Sequence, residues 1–176
     1  MFRQAKLFFI IAETPLHPGS GSELGTVDLP IQRERHTGYP KIEGSGIKGC
    51  FREVFETSDK EIEINSTKIK STDYLSLVFG PEKGDEHAGA IAFTDARILL
   101  FPVKSLKGVF GWITSPAVIE RFKKDLKITN QDGNFPVSGL SDLANTHPQD
   151  CNLVISSKVV FEEFTFSVEL NDKTTN

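Results

Sequence analysis

Two apolar runs set the first constraint on this chain. IAFTDARILLFPV, residues 91–103, and VFGWIT, residues 109–114, are separated only by KSLKG, residues 104–108. Both runs are rich in β-branched and aromatic residues, and a short turn with a glycine folds one strand back on the other, so the pair predicts a β-hairpin. Directly after it the period changes. In SPAVIERFKKDL, residues 115–126, Val118, Ile119, Phe122 and Leu126 share one helical face. Ser115 can cap that helix, and Pro116 stands at the first helical position, where its missing N–H costs nothing.

A strand and a helix also precede this block. AKLFFIIAE, residues 5–13, is compact, apolar and partly β-branched, which predicts a buried strand ending near Thr14. In SGIKGCFREVFE, residues 45–56, Ile47, Phe51 and Phe55 recur at i, i+4 and i+8, with Val54 beside them, and Ser45 is the N-cap candidate. Residues 57–90 are polar and acidic, with a short helix expected around TDYLSLVF capped by Thr72. Residues 128–150 form a polar loop, and LVISSKVVFEEFTFSVEL alternates as a strand in one or two pieces. The order β, α, β, β, α, β is the split βαβ, ferredoxin-like pattern of an α+β fold. With 176 residues and 14 Phe, one core suffices, so a single domain is expected over 1–170 with a frayed tail at 171–176.

The N-terminal strand and helix are about thirty residues apart. Loops of that length are usually functional or disordered, and the turn signals at both ends of this one favour function. Within it lies LGTVDLPIQRERH, residues 24–36. Pro30 breaks a helix and is awkward in a central strand. One carboxylate, Asp28, sits inside the apolar run TVDLPI, followed by Arg33, Arg35 and His36. A lone loop Asp is commonly a turn former or a solvated charge. In this setting the arginines could also grip a phosphate backbone and hold the carboxylate beside it.

Charge is distributed in blocks. Residues 1–52 carry net +2, 53–96 net −6, 97–127 net +5 and 128–176 net −5. The total of −4 argues weakly against nucleic acid, but a fold can gather the two basic blocks into one patch. Ordinary solvated surfaces explain the same pattern. Cys50 and Cys151 lack metal-ligand spacing, and His17, His36, His87 and His147 form no HxxxH, so a structural zinc site is not expected. No apolar run approaches the roughly 18 residues of a membrane span. The N-terminus does not resemble a signal peptide, and a reduced, cytoplasmic protein is expected.

KIEGSGIKGCFRE, residues 41–53, runs a glycine-rich loop into a helix N-terminus, where backbone N–H groups attract phosphate. Lys48 and Arg52 could add charge. A plain turn that needs backbone freedom accounts for the same glycines. KGVFGWI, residues 107–113, partly matches the aromatic sheet motif of RNA-recognition domains. Val109 interrupts that motif and shifts the aromatics to the other face, so Phe110 and Trp112 are expected in the core or an interface.

Taken in order, GSGSELGTVDLPIQRERHTGYPKIEGSGIKGCFRE and GAIAFTDARILLFPVKSLKGVFGWITSPAVIERF resemble the RAMP-superfamily backbone subunit of type III-B, Cmr-type CRISPR effector complexes. The resemblance runs from the first strand to about Phe166. It implies a modified RNA-recognition fold with the insertion at about 17–40 as a thumb hairpin; the acidic stretch at about 57–90 is taken as a second insertion from its composition. Copies would stack along a CRISPR guide RNA with other subunits of the complex, each thumb displacing a base pair of the guide–target duplex. Target single-stranded RNA would be cut beside the displaced base in a reaction dependent on a divalent metal, Mg or Mn. The family's catalytic thumb aspartate falls on Asp28 and a histidine before the thumb on His17. The guide-backbone contact falls on Ser45 and Lys48, and Arg33, Arg35, His36 and Arg52 are the other candidate RNA contacts. Family chains run well past residue 176, so the resemblance also implies that this is the N-terminal part of a longer one. The alternative is a structural RNA-binding scaffold with no chemistry in this chain.

Overall fold

A computed structural model describes residues 4–21, 30–58, 61–82, 87–135, 137, 139 and 145–171. The backbone clusters into two compact units, one within residues 10–97 and the other made of the segments up to Phe9 and from Ile98 onward.

In the first unit, β1 (Lys41–Ile42) leads into α1 (Gly44–Glu56), followed by β2 (Glu61–Ile64), β3 (Thr67–Lys70), a 3-10 helix (Ser71–Tyr74), α2 (Leu75–Phe79) and β4 (Ala96–Arg97). The expected helix face is the packing face. Ile47 and Phe79 are buried. Phe55 meets Phe79 edge to face with centroids 5.3 Å apart, and Phe51 stacks on Phe93 at 5.1 Å with the rings 7° from parallel. Val54 is the exception at 62% exposed, although it stands seven residues from buried Ile47 on nearly the same side of the helix. Thr72 does not cap. It lies inside the 3-10 helix, whose N-cap is Lys70.

The acidic segment holds a hairpin that its composition obscured. β2 and β3 pair antiparallel, with Glu61 opposite Lys70 and Glu63 opposite Lys68, so unlike charges face across the ladder. Asn65 and Ser66 both take positive φ, 50° and 63°, as a type I′ turn requires.

In the second unit, β5 (Phe101–Lys104) and β6 (Phe110–Ile113) form the expected hairpin, followed by α3 (Pro116–Ile128), β7 (Thr146–His147), β8 (Lys158–Phe161), β9 (Phe164–Ser167) and β10 (Glu169–Leu170). Ser115 caps α3, accepting the Val118 N–H at 3.4 Å, and Pro116 opens it. Val118, Ile119 and Leu126 are buried, while Phe122 packs with Phe9 and Phe135 at 6.0 and 5.8 Å. The last apolar segment is a tight hairpin of β8 and β9 rather than one strand. It is joined to β5 by the Ser105–Phe161 bridge. β10 runs parallel to β7.

Residues 5–13 form no strand, and Phe8, Phe9, Ile10 and Ile11 are exposed. An apolar run can be a buried strand only where a neighbour supplies its hydrogen bonds, and none of the described strands pairs with it. Among the described residues the strands pair as five two-stranded ladders, not as one four-stranded sheet. Among them, too, no helix is long and apolar enough to cross a membrane.

Candidate nucleic-acid interface

The insertion closes on itself at its base. Ser20 N–H donates to the Pro30 carbonyl and Gln32 N–H to that of Pro18, both at 2.9 Å, forming the antiparallel bridge Gly19–Ile31. His17 is exposed just before that bridge. Asp28 lies outside the described residues. Beyond the bridge the chain turns again: Glu34 N–H donates to the Tyr39 carbonyl at 2.8 Å, and Arg33 pairs with Pro40.

This second turn arranges the basic residues. Glu34 is buried and accepts the Thr37 hydroxyl at 2.5 Å, with His36 Nε2 at 3.8 Å. A buried acceptor fixed from within the turn leaves Arg35 and His36 turned to solvent. Arg33 is exposed and donates one N–H to the Gly38 carbonyl at 2.8 Å.

Gln32 connects this arm to α1. Its side-chain amide donates to the Gly19 carbonyl at 2.9 Å and accepts the Glu43 N–H at 2.7 Å, while its own carbonyl accepts the Lys41 N–H at 3.0 Å. Sequence patterning gave no signal for it, since one amide among charged residues is unremarkable until its two partners are known.

The helix N-terminus is organised by a carboxylate from elsewhere in the chain. α1 starts at Gly44, with Glu43 as N-cap making no side-chain cap. Ser45 is therefore in the first turn, not at the cap expected from its residue type. Asp95 supplies the missing acceptor: one oxygen takes the Gly44 N–H at 3.0 Å and the other Lys41 Nζ at 2.8 Å. The Lys41 ammonium holds the Asp95 carboxyl below its ordinary value, helped by the Gly44 N–H, and Asp95 in turn raises Lys41. β1 and β4 keep the pair in register, with Lys41 opposite Arg97 and Ile42 opposite Ala96. The approach is so close that a Cβ on Gly44 would lie 2.3 Å from the Phe93 carbonyl oxygen. That is why this glycine, rather than the phosphate loop as a whole, requires the absence of a side chain. The first N–H of the expected phosphate site thus already serves a protein carboxylate.

Ser45 remains exposed and Lys48 half-buried, three residues apart on one side of α1. Arg52 is directed elsewhere, to Glu56 at 3.1 Å and the Gly80 carbonyl at 2.9 Å, so its geometry ties α1 to the end of α2. Among the described residues no three His, Cys, Asp or Glu side chains gather as a metal site.

Comparison with known proteins places the chain among relatives. The RAMP superfamily model matches residues 9–174. The CRISPR system Cmr endoribonuclease Cmr4 of Pyrococcus furiosus is 43% identical over 172 residues, which are 97% of this chain and 55% of that protein. The crystal structure of oligomeric Cmr4 from Pyrococcus furiosus has a TM-score of 0.67 at 35% identity, covering 92% of this chain and 54% of that one. A chain of the type III-B Cmr-beta complex bound to cognate target RNA, solved by cryo-electron microscopy, shares the fold with a TM-score of 0.68 at 22% identity, covering 92% and 58%. This chain spans about half the length of the relatives it matches. With the family model covering nearly all of it, the chain belongs to the RAMP superfamily.

Proposed function

We propose that this protein is a backbone subunit of a type III-B, Cmr-type CRISPR effector complex. It binds guide RNA, stacks with copies of itself and with other subunits, and cleaves guide-paired target RNA at regular intervals. The 43% identity to the Pyrococcus endoribonuclease, across almost the whole chain, carries this proposal. The paired base at Gly19 and Ile31 supports a thumb built on residues 17–40, and the likeness to the Cmr4 structures supports a ferredoxin-like palm beneath it. Arg33, Arg35 and His36 are exposed on the arm, where cations can meet phosphates, and Ser45 and Lys48 offer a second contact on α1.

Asp28 is the proposed catalytic carboxylate, and His17, just before the arm, is the second proposed catalytic residue. RNA can be cut by its own 2′-hydroxyl once that group lies in line with the phosphorus, and displacing a base frees the backbone to reach this geometry. A carboxylate then orients the hydroxyl or accepts its proton. A divalent cation, Mg or Mn, belongs to the proposal. Among the described residues no three His, Cys, Asp or Glu side chains gather to hold it, and Asp28 lies outside them. DNA lacks the 2′-hydroxyl, so cleavage is confined to RNA.

The test is Asp28→Ala in the assembled complex. Cleavage of a guide-paired target should fall by 100-fold or more, on the order expected for a lost acid–base group, with target binding unchanged. Cleavage at the unaltered rate would remove Asp28 from catalysis and make the chain a scaffold.

A further inference from the structure

β6 presents an aromatic face. Phe110 and Trp112 alternate onto one side of the strand, and their rings meet edge to face, 5.7 Å apart and 85° from parallel. Neither is in the core: they are 47% and 55% exposed. The opposite side of β6 is the packed one. Gly111 there is buried, and a Cβ on it would lie 2.5 Å from Leu153 and 2.8 Å from the ring of Phe161. The register is therefore locked, because a slip of one residue would drive an aromatic ring into space that admits only a glycine. The ladder sets Lys104 opposite Phe110 and Pro102 opposite Trp112, and Lys104 is exposed. The sequence block 97–127, which contains this hairpin, carries net +5. The acidic neighbour along the backbone pairing is Glu162, past the end of β8, whose N–H donates to the Lys104 carbonyl at 3.0 Å.

Exposed rings with lysine beside them differ from an ordinary protein-docking face, where aromatics are enriched but lysine is depleted. They match what an unpaired nucleotide needs, a π surface for the base and a cation for its phosphate. We propose that Phe110, Trp112 and Lys104 form a stacking platform for an unpaired base of single-stranded RNA. This rests on the RNA-binding function proposed above.

The chain has a single tryptophan, so emission excited beyond the tyrosine absorption band reports on this position alone. The protein is titrated with an unstructured, end-labelled single-stranded RNA while Trp112 emission and label anisotropy are followed together. Quenching along the anisotropy isotherm is expected. Phe110→Ala/Trp112→Ala should weaken binding by roughly five- to tenfold, the lower part of the range for one stacked base. Trp112→Phe should retain most of the affinity, and Lys104→Glu should lower the salt dependence by about one phosphate contact. Lys104→Glu changes only an exposed side chain, so it keeps the test decisive if the double variant misfolds.

If RNA binds with Trp112 emission unchanged and the double variant binds like the parent, the platform is refuted while RNA binding stands. If no RNA binds at all, both fail. If Trp112 in the free protein is shielded from acrylamide, and self-association disappears in the double variant, the face is an interface between copies and the proposal is overturned.

Discussion

Gly44→Ala offers a direct test of how α1 is held. In an open helix the change would favour folding by up to about 1 kcal/mol, since alanine is the better helix former. Here the new Cβ falls 2.3 Å from the Phe93 oxygen and 3.0 Å from the Phe93 and Thr94 carbonyl carbons, all of them backbone. No rotamer can relieve that contact. Either α1 or the 93–97 segment must retreat by the better part of an ångström. Overpacking of this kind costs about 1–3 kcal/mol. The retreat also lengthens the Gly44–Asp95 hydrogen bond and disturbs the parallel stack of Phe51 on Phe93, adding roughly 1 kcal/mol. The net destabilisation is about 1–3 kcal/mol, a melting-temperature drop of very roughly 2–12 °C in a chain this size. Gly46→Ala is the matched control. It lies in the same helix with no atom near the added Cβ, and it should be neutral or stabilising by up to about 1 kcal/mol. Thermal unfolding followed by circular dichroism compares the two. Equal melting temperatures, or a Gly44→Ala protein at or above the parent, would refute the claim that this close approach sets the helix.

Asp95 and Val109 carry two further predictions. Asp95 has its carboxyl depressed by Lys41 and by the Gly44 N–H, so its contribution is present above the ordinary carboxylate range and fades as pH falls below about 4. Melting temperatures across an acid series should show a shallower decline in Asp95→Asn than in the parent, and superimposable profiles would contradict this. Val109 is β-branched, 80% exposed and held at φ 69°, where asparagine is tolerated far better. Val109→Asn should raise stability by up to about 1 kcal/mol, read as a higher melting temperature, and a fall would show that the valine side chain makes contacts its exposure hides.

The helices were legible because their signals are local. Ser115, Pro116 and the Val118, Ile119, Phe122, Leu126 stripe all lie within twelve residues, and the fold keeps them as the sequence implies. Where partners are distant, local patterning failed. Ser45 has the right chemistry for a cap, yet Asp95, some fifty residues away, arrives first. LFFIIA has strand composition, but composition cannot supply a neighbouring strand. EIEINSTKIK alternates plainly around a two-residue turn, and only the dominance of charge concealed that hairpin. Phe110 and Trp112 show the limit in another way. Their alternation fixes that they share a face, but which face is buried depends on Leu153 and Phe161, far along the chain.

Gln32 bonds in both directions, and this has a mechanical consequence. The rung at Gly19 and the start of α1 share one amide side chain, so a shift of either that keeps its bond must carry the Gln32 amide with it. The arm is thereby geared to the helix. One amide thus stands between the backbone that carries Arg33 and the backbone that leads into Ser45 and Lys48.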